Sequence, residues 1–220
     1  ASDVYKRQTQ TPHNTQRGLV DMFDMAEDKV RVITPDVGGG FGPKNQVYPE
    51  EMMVPLAAKL LGRPVKWVED RREHFLTTTQ ERDQVWEVSV AVDENGRILG
   101  LKGHLVHDAG AYLPWGIIMP YISASTLPGP YRVPSYRLEV SVAFTNMVAT
   151  TPMRGAGRPQ AVFVMERLVD LIARELALDP AVVRDRNFIA AADMPYSMGL
   201  TYRDGAPVIY DSGDYPEAQR

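Results

Sequence analysis

The part of the sequence that says most about the fold is WEVSVAVDENGRILGLKGHLV, residues 86–106. One face of a predicted β-strand carries Trp86 and three valines, because apolar side chains alternate with polar or small ones over residues 86–92. The dipeptide Asn95-Gly96 follows, and it is the strongest short-range signal for a hairpin turn. Residues 98–106 are then the returning strand, so the stretch predicts an antiparallel hairpin.

Other segments on both sides of the hairpin predict strands and helices. Strands are predicted over residues 29–33, 65–69 and 137–145. Helices are predicted over residues 18–29, from Pro49 to the Gly62 and Pro64 that end it, after Pro159, and from Asp179 to about Phe188. Pro55 lies inside the second helix and should kink it or delay its start. Residues 109–135 show no clean period.

The helix after Pro159 is the clearest one, because its apolar residues recur at helical spacing. This stripe, which indicates packing against a core, consists of Met165, Leu168, Val169, Ile172 and Leu176. Together the segments predict an α+β fold in which helices pack on antiparallel β-hairpins.

Composition and charge exclude several classes of function. The chain has 220 residues, 44% of them hydrophobic and 24% charged, as in an ordinary globular protein. Its net charge of −4 argues against a nucleic-acid partner. No apolar run approaches the roughly 20 residues that span a bilayer, and no signal-peptide pattern is visible. We therefore expect no membrane span and a cytoplasmic location.

Few residues of the chain could hold a metal directly. There is no cysteine, which excludes thiolate zinc sites and cysteine-ligated iron–sulfur clusters within this chain. The four histidines are His13, His74, His104 and His107, and none forms the i, i+4 pair of a zinc hydrolase. We expect no direct protein ligand to a metal.

A glycine run, GGGFGPK at residues 38–44, follows the strand predicted over 29–33. Bare backbone with a cation suits an anionic, oxygen-rich ligand. The run fits neither nucleotide-binding motif, since Pro43 replaces a required glycine in both and Asn45 replaces the P-loop Ser or Thr. A tight strand-to-helix turn without a ligand remains the alternative.

A second loop of similar character, PMRGAGRPQ, occupies residues 152–160. Arg154 and Arg158 lie within it, and arginine is the side chain best suited to planar, bidentate recognition of an anion. The alternative interpretation is a loop that leads into a helix with solvated arginines. Two such loops in one chain favour a cofactor-dependent enzyme.

These loops resemble the two molybdenum-cofactor loops of the molybdenum hydroxylases. That family includes xanthine dehydrogenase, aldehyde oxidase and the large subunit of aerobic carbon monoxide dehydrogenase. Further segments match in order and at the family's spacing: residues 9–11, 15–16, 62–65, 69–71, 107–112 and 145–146, and Arg184 with Asn187. The similarity extends from about Thr9 to about Phe188.

The resemblance implies a division of the chain. Residues 9–192 would be the first of two molybdopterin-binding domains, and residues 193–220 the irregular start of the following segment. Residues 1–8 stay unassigned, with a non-native leader as one interpretation. Because the chain begins at Ala1 and ends in polar sequence at Arg220, we expect a piece of a longer polypeptide that is not active alone.

The resemblance also implies roles for individual residues. Gln10 matches the glutamine whose amide hydrogen-bonds an oxygen ligand of molybdenum. The loop that lines the metal and pterin corresponds to Gly39, Gly40, Phe41 and Gly42, and the second cofactor loop to Arg154, Gly155 and Ala156. None of these bonds the metal, which the pterin holds. The glutamate base of the family would lie in a later domain, outside this chain.

The implied cofactor is molybdenum–molybdopterin, in its cytosine dinucleotide form, with iron–sulfur clusters and FAD on partner subunits or domains. The implied activity is oxidation of a small molecule with oxygen from water, within a dimer of heteromers. One alternative is a non-catalytic paralogue or scaffold that keeps the fold. Another is a carbon-monoxide-dehydrogenase-like large subunit that lacks the copper cysteine.

Departures from the family pattern bear on the substrate. Asn45, Ile122 and Ala156 stand where xanthine dehydrogenases have a glutamate, a substrate-binding arginine and a ring-stacking phenylalanine, which disfavours purine hydroxylation. Gly155 stands where copper-dependent carbon monoxide dehydrogenases have a cysteine. An aldehyde or an N-heterocycle is the expected substrate class.

Overall fold

The computed structural model describes residues 3–220, and the chain divides into two units, Ala1–Gln80 and Glu81–Arg220. This division falls inside the single domain expected over residues 9–192, whose ends stay a prediction. Ala1 and Ser2, which belong to the unassigned leader, lie outside the described residues.

The first unit is built from two short parallel strands and three helices. Their bounds are β1 Asp3–Lys6, α1 Pro12–Phe23, β2 Val30–Ile33, α2 Pro49–Leu61 and α3 Arg71–Thr77. Strand β1 pairs with β2, with Asp3 opposite Val30. Residues 3–6, left unassigned from the sequence, are therefore part of this unit's fold.

Prolines and a capping glycine explain where the first two helices of this unit begin and end. Helix α1 begins six residues before the predicted start at 18, because Pro12 occupies the first turn, where a missing N–H costs nothing. Helix α2 begins at Pro49 as predicted and ends at Leu61, where it is capped by Gly62 with a left-handed φ of 62°. Pro55 lies inside α2 without delaying its start.

The strand predicted over residues 65–69 is wrong, because a strand needs a neighbour to pair with and the described residues provide none there. Helix α3, which follows directly, was missed. Its signal is a capping box: the Glu73 N–H donates to Asp70 Oδ1, and the Asp70 N–H donates to Glu73 Oε2, both at 2.8 Å.

The interior of the first unit is small and partly polar. Among the described residues of this unit, Leu19 and Val30 are the buried apolar side chains. Glu51 is 2% exposed and forms an ion pair with Arg7. The Tyr48 N–H also donates to Glu51 Oε1 at 2.9 Å. A charge-paired contact thus connects the end of β1 to the first turn of α2.

The second unit contains a three-stranded sheet in the order β3-β4-β5, with bounds β3 Gln84–Val92, β4 Ile98–Asp108 and β5 Tyr136–Ala143. Strands β3 and β4 form the predicted antiparallel hairpin, with Trp86 opposite Leu105. Strand β5 lies parallel to β4 and is reached through helix α4, Ile118–Thr126. The α+β class is confirmed, but the sheet is mixed and is not built from hairpins alone.

Helices of the second unit cover a continuous apolar core. Helix α5 spans Arg158–Glu175 and α6 spans Pro180–Asn187, where Asp179 caps α6 by accepting from the Ala181 N–H. The predicted stripe of α5 is buried except for Leu176, which is partly buried. Helix α4 was missed because its apolar residues lie all round it, so no stripe marks one face.

The end of the chain is regular where an irregular segment was expected. Strands β6 Tyr196–Thr201 and β7 Pro207–Tyr210 pair antiparallel, and a short helix α7 covers Tyr215–Gln219. The expectation of irregular structure over 193–220 is therefore wrong. A local signal for β6 was available, since Tyr196, Met198 and Leu200 alternate with polar or small residues, whereas the four residues of β7 show no such alternation.

Buried His107 makes the stability of the second unit depend on pH. It is 1% exposed, and burial lowers the pKa of its imidazole although Asp108 and Asp83 oppose the shift. The unfolded chain therefore takes up a proton more readily, so we expect stability to fall as the pH drops below about 6.5. Melting temperatures of the full-length protein at pH 7.5 and 5.5 measure this fall. It should shrink in His107→Asn and persist in His104→Asn, and an equal fall in both variants would contradict the assignment.

Candidate functional site

The glycine run of the first unit has a backbone that other residues rarely adopt. Gly38, Gly39 and Gly42 have φ angles of 65°, 99° and 109°, and Phe41 has 56°. Such angles cost an L side chain free energy but are open to glycine. The run therefore leaves β2 as a tight loop and ends in a short 3₁₀ turn at Pro43–Asn45.

Gln10 is held against this loop by both its main chain and its side chain. The Gln10 N–H donates to the Lys44 carbonyl at 3.0 Å, and the Gly42 N–H donates to Gln10 Oε1 at 2.8 Å. With Oε1 engaged, the amide is oriented and Nε2 is its remaining polar group. Within its own unit, Nε2 donates to none of the described residues.

The Gln10 side chain lies so close to the loop that only glycine fits at position 40. A Cβ on Gly40 would lie 2.2 Å from Gln10 Cγ and 2.5 Å from Oε1. Phe41 is 58% exposed, and its ring lies against Gly39, where a Cβ would be 2.4 Å from the ring. The loop thus combines a fixed glutamine amide with bare backbone and an exposed ring.

The cation of the first loop, Lys44, forms a hydrogen bond within the loop itself. Its Nζ donates to the Val37 carbonyl at 2.7 Å, which closes the base of the loop. The cation of the first loop is thus used in part to hold the loop itself together.

Substitution of Gly40 by alanine tests this packing. We expect Gly40→Ala to displace the Gln10 side chain and break its bond to the Gly42 N–H, since the new Cβ would overlap three Gln10 atoms. Amide exchange of the peptide that covers residues 38–44 should become several-fold faster. Gly38→Ala is the comparison variant: a Cβ there meets no atom within 4 Å, but the left-handed φ of 65° at Gly38 strains an alanine, whereas Gly40 has no left-handed φ. Wild-type exchange in Gly40→Ala would show that the Gln10 side chain does not hold the loop.

The second loop, in the second unit, also runs through left-handed backbone. Gly155, Ala156 and Gly157 have φ angles of 105°, 50° and 90°, and the loop leads directly into α5. Gly157 is buried, and a Cβ on it would lie 2.7 Å from the Met119 carbonyl oxygen. The loop is therefore packed against the first turn of α4.

The two arginines of this loop have different surroundings. Arg158 donates from Nη1 to the Gly155 carbonyl at 3.3 Å and from Nη2 to the Tyr202 hydroxyl at 3.1 Å. Arg154 is exposed, and its guanidinium has no hydrogen-bond or ion-pair partner among the described residues of its unit. Arg154 is thus the arginine available to a ligand.

Two adjacent residues that the sequence analysis did not single out hold this loop. The Glu81 side chain is fully buried, and its Oε1 accepts from the Gly157 N–H at 3.0 Å. Arg82 Nη2 donates to the Arg154 carbonyl at 2.8 Å. These partners are separated by more than seventy positions, and no local pattern could have identified them.

Burial raises the pKa of Glu81, while Arg82 and the N–H groups of Gly157 and Met153 lower it. Arg82 Nη1 lies 2.9 Å from Oε2, which makes an ion pair without a well-aligned hydrogen bond. The carboxylate therefore depends on these neighbours to stay charged.

The three residues that differ from the xanthine dehydrogenase pattern lie in three separate elements. Ile122 is 2% exposed inside α4. Asn45 ends the 3₁₀ turn, where its N–H donates to the Gly42 carbonyl at 2.8 Å. Ala156 is partly buried in the second loop, where its N–H donates to the Met153 carbonyl at 2.7 Å.

Comparison with known proteins gives the family. The model of the molybdopterin cofactor-binding domain matches residues 3–188. The chain belongs to this family. It is 37% identical over 203 residues, 92% of its length, to the 6-hydroxypseudooxynicotine dehydrogenase complex subunit gamma of Paenarthrobacter nicotinovorans, of which it covers 25%. It is 35% identical to the carbon monoxide dehydrogenase large chain of Hydrogenophaga pseudoflava, covering 96% of this chain and 26% of that one.

Solved structures agree with this membership of the molybdopterin cofactor-binding domain family. Quinoline 2-oxidoreductase from Pseudomonas putida 86 superposes with a TM-score of 0.88 at 34% identity, covering 98% of this chain and 27% of that one. The chain thus spans about a quarter of the length of the relatives it matches. Within residues 3–220, no helix is both long and apolar enough to cross a membrane.

Proposed function

We propose that this chain is part of the large catalytic subunit of a molybdenum-dependent hydroxylase or dehydrogenase. The observation that carries the proposal is the Gln10 amide, which the Gly42 N–H holds at 2.8 Å against a loop of bare glycine backbone. Such an arrangement offers a fixed donor, Nε2, beside backbone that a ligand can approach closely. The family match over residues 3–188 supports the same function.

The residues present fit a molybdopterin cofactor. Within the first unit, the N–H groups of Gly39 and Gly40 have no acceptor among the described residues, and Gln10 Nε2 has none either. Arg154 in the second unit is an exposed guanidinium without a partner in that unit. Donors and a cation of this kind suit the oxygens and phosphate of the cofactor. When bound, the cofactor supplies a two-electron oxidation with oxygen taken from water.

The chain's own part is to bind and orient. Gln10 would donate from Nε2 to an oxygen on the metal, while the backbone of residues 39–42 lines the metal and pterin. Arg154 would neutralise anionic charge, and Gly155 and Ala156 would supply backbone beside the cofactor. The proton-accepting glutamate would come from a later part of the polypeptide.

For the substrate we propose an aldehyde or an N-heterocycle. The names of two relatives support this class: a subunit of the 6-hydroxypseudooxynicotine dehydrogenase complex, and quinoline 2-oxidoreductase. Ile122 and Ala156 also remove the arginine and the aromatic ring by which a purine would be held. A carbon-monoxide reaction is disfavoured by Gly155, which stands in the place of the copper cysteine.

The remaining parts of the proposal concern the assembly. They are the cytosine dinucleotide form of the cofactor, iron–sulfur and FAD partners, a dimer of heteromers and a cytoplasmic location. Relatives described as a subunit gamma and as large chains support a multi-subunit enzyme. A non-catalytic scaffold with the same fold is the competing function, and a glutamate-bearing loop in the downstream sequence would argue against it.

Metal and nucleotide analysis of the full-length protein, purified with its partners, tests the proposal. We expect close to one molybdenum per large subunit and release of cytidine monophosphate on acid hydrolysis. A protein that is fully assembled in a molybdenum-replete host yet contains no molybdenum would refute the proposal and favour the scaffold.

Substitution of Gln10 tests the role of its amide. In the full-length protein we expect Gln10→Ala to lower kcat about tenfold to a hundredfold while the bound molybdenum stays near the wild-type level, since one donor to the reacting centre is lost. Gln8→Ala is the matched control, because its Nε2 donates to the Asp36 carbonyl at 2.9 Å and has no proposed contact with the cofactor. Wild-type turnover in Gln10→Ala would remove the amide from the mechanism.

A further inference from the structure

We propose that Glu81, together with Arg82, positions the second cofactor loop. The inference rests on the proposed function of that loop, residues 153–157. Glu81 is a positioning residue and not a catalytic one, since it acts through main-chain groups of the loop and through Arg82. Nothing in the loop's own sequence points to it.

A buried carboxylate holds the end of the loop that leads into α5. Glu81 Oε1 accepts from the Gly157 N–H at 3.0 Å, and the nearby Met153 N–H helps to lower the pKa of the same carboxyl group. The Glu81 side chain has no exposed surface, so water does not compete for the Gly157 N–H.

Arg82 contacts both the loop and the helix that follows it. Its Nη2 donates to the Arg154 carbonyl at 2.8 Å, and Nη1 lies 3.4 Å from Gln160 Oε1 in the first turn of α5. Arg82 also has a left-handed φ of 86°, an unfavourable angle for a residue with a side chain. With this backbone conformation, the side chains of both Glu81 and Arg82 bond to the second cofactor loop.

The backbone of the loop itself needs contacts that hold it. Residues 155, 156 and 157 all have positive φ, and such a run is not stable without them. Within the second unit, Arg82 bonds to the Arg154 carbonyl just before this run, and Glu81 bonds to the Gly157 N–H at its end. Without these contacts, the orientation of the Arg154 side chain would no longer be fixed.

The test is hydrogen–deuterium exchange of the full-length protein, read from peptides that cover residues 152–158, combined with molybdenum analysis. We expect exchange in this segment to be about tenfold faster in Glu81→Ala, because the Gly157 N–H loses its acceptor. Glu81→Gln, which keeps one acceptor oxygen and the shape, should fall between Glu81→Ala and the wild type. Molybdenum per subunit should fall in the same order.

Glu139→Gln is the matched control, since Glu139 pairs with Arg137 on the exposed side of the same unit. It should leave exchange and molybdenum unchanged. Exchange over residues 165–173 of α5 should stay slow in every variant, which distinguishes loss of the loop from loss of the fold.

Unchanged exchange over residues 152–158 in Glu81→Ala would overturn the inference. Faster exchange with full molybdenum content would overturn it too, because the loop would then bind cofactor without being held. If the unmodified protein contains no molybdenum, the proposed function fails instead, and the exchange of residues 152–158 still decides whether Glu81 holds the loop.

Discussion

Arg154→Ala in the full-length protein is expected to lower turnover by about a hundredfold or more with little change in the melting temperature. The guanidinium is exposed and has no partner in its own unit, so its removal leaves the packing of the loop intact. A cation that contacts an anionic cofactor beside the reacting centre typically contributes this much to the rate. Steady-state oxidation of an aldehyde or N-heterocycle with an artificial electron acceptor measures the loss.

The matched control is Arg137→Ala, which removes another exposed arginine of the same unit, from strand β5. It should keep wild-type turnover. Turnover of Arg154→Ala at the wild-type rate, with full molybdenum content, would contradict a role beside the cofactor. Loss of molybdenum together with turnover would assign Arg154 to cofactor retention.

The largest expected effect on stability belongs to Glu51. Glu51→Ala should lower the free energy of unfolding of the first unit by about 3 kcal/mol, because it leaves the largely buried Arg7 without its partner and the Tyr48 N–H without an acceptor. Glu50→Ala, one position away in the same helix turn, should change stability by less than about 0.5 kcal/mol. Denaturant-dependent amide exchange of residues 12–23 measures the difference.

A second variant separates the loss of the pair from the loss of the side chain. Replacement of both partners, Arg7→Leu with Glu51→Leu, should recover most of the lost stability, since no buried charge then remains unpaired. A double variant that is as unstable as Glu51→Ala would show that packing of the aliphatic stems, and not the charge, is what matters.

Local patterns in the sequence were enough for the elements whose signals are local. The hairpin around Asn95-Gly96 and the stripe of α5 were predicted because alternation and helical spacing act over a few residues. The strand predicted over residues 65–69 failed for the opposite reason, since pairing depends on a distant partner that the sequence does not reveal. The parallel contact of β4 with β5 was missed in the same way.

In the candidate site, too, local features could be predicted and features that depend on distant contacts could not. The glycine loop and the Arg154 loop were recognised from residue types and resemblance. Their geometry was not predictable, because it depends on contacts across the chain: Gln10 with Gly42, thirty-two positions apart, and Glu81 with Gly157, seventy-six positions apart. The bond from Lys44 Nζ to the Val37 carbonyl, which closes the base of the first loop, was likewise not predicted. Sequence patterns gave candidates for the site, and long-range hydrogen bonds decided their positions.

The small interior of the first unit has a consequence for how the protein fails on heating. Leu19 and Val30 are its buried apolar side chains within the described residues, so directional contacts such as the Arg7–Glu51 pair contribute much of its cohesion. Units of this kind open at lower free energy than an apolar core such as that behind α5. Heating should therefore break the bond between the Gly42 N–H and Gln10 Oε1 before the β3-β4-β5 sheet unfolds. Thermal inactivation would then precede the loss of circular dichroism, and a brief exposure to heat would leave folded, molybdenum-poor protein.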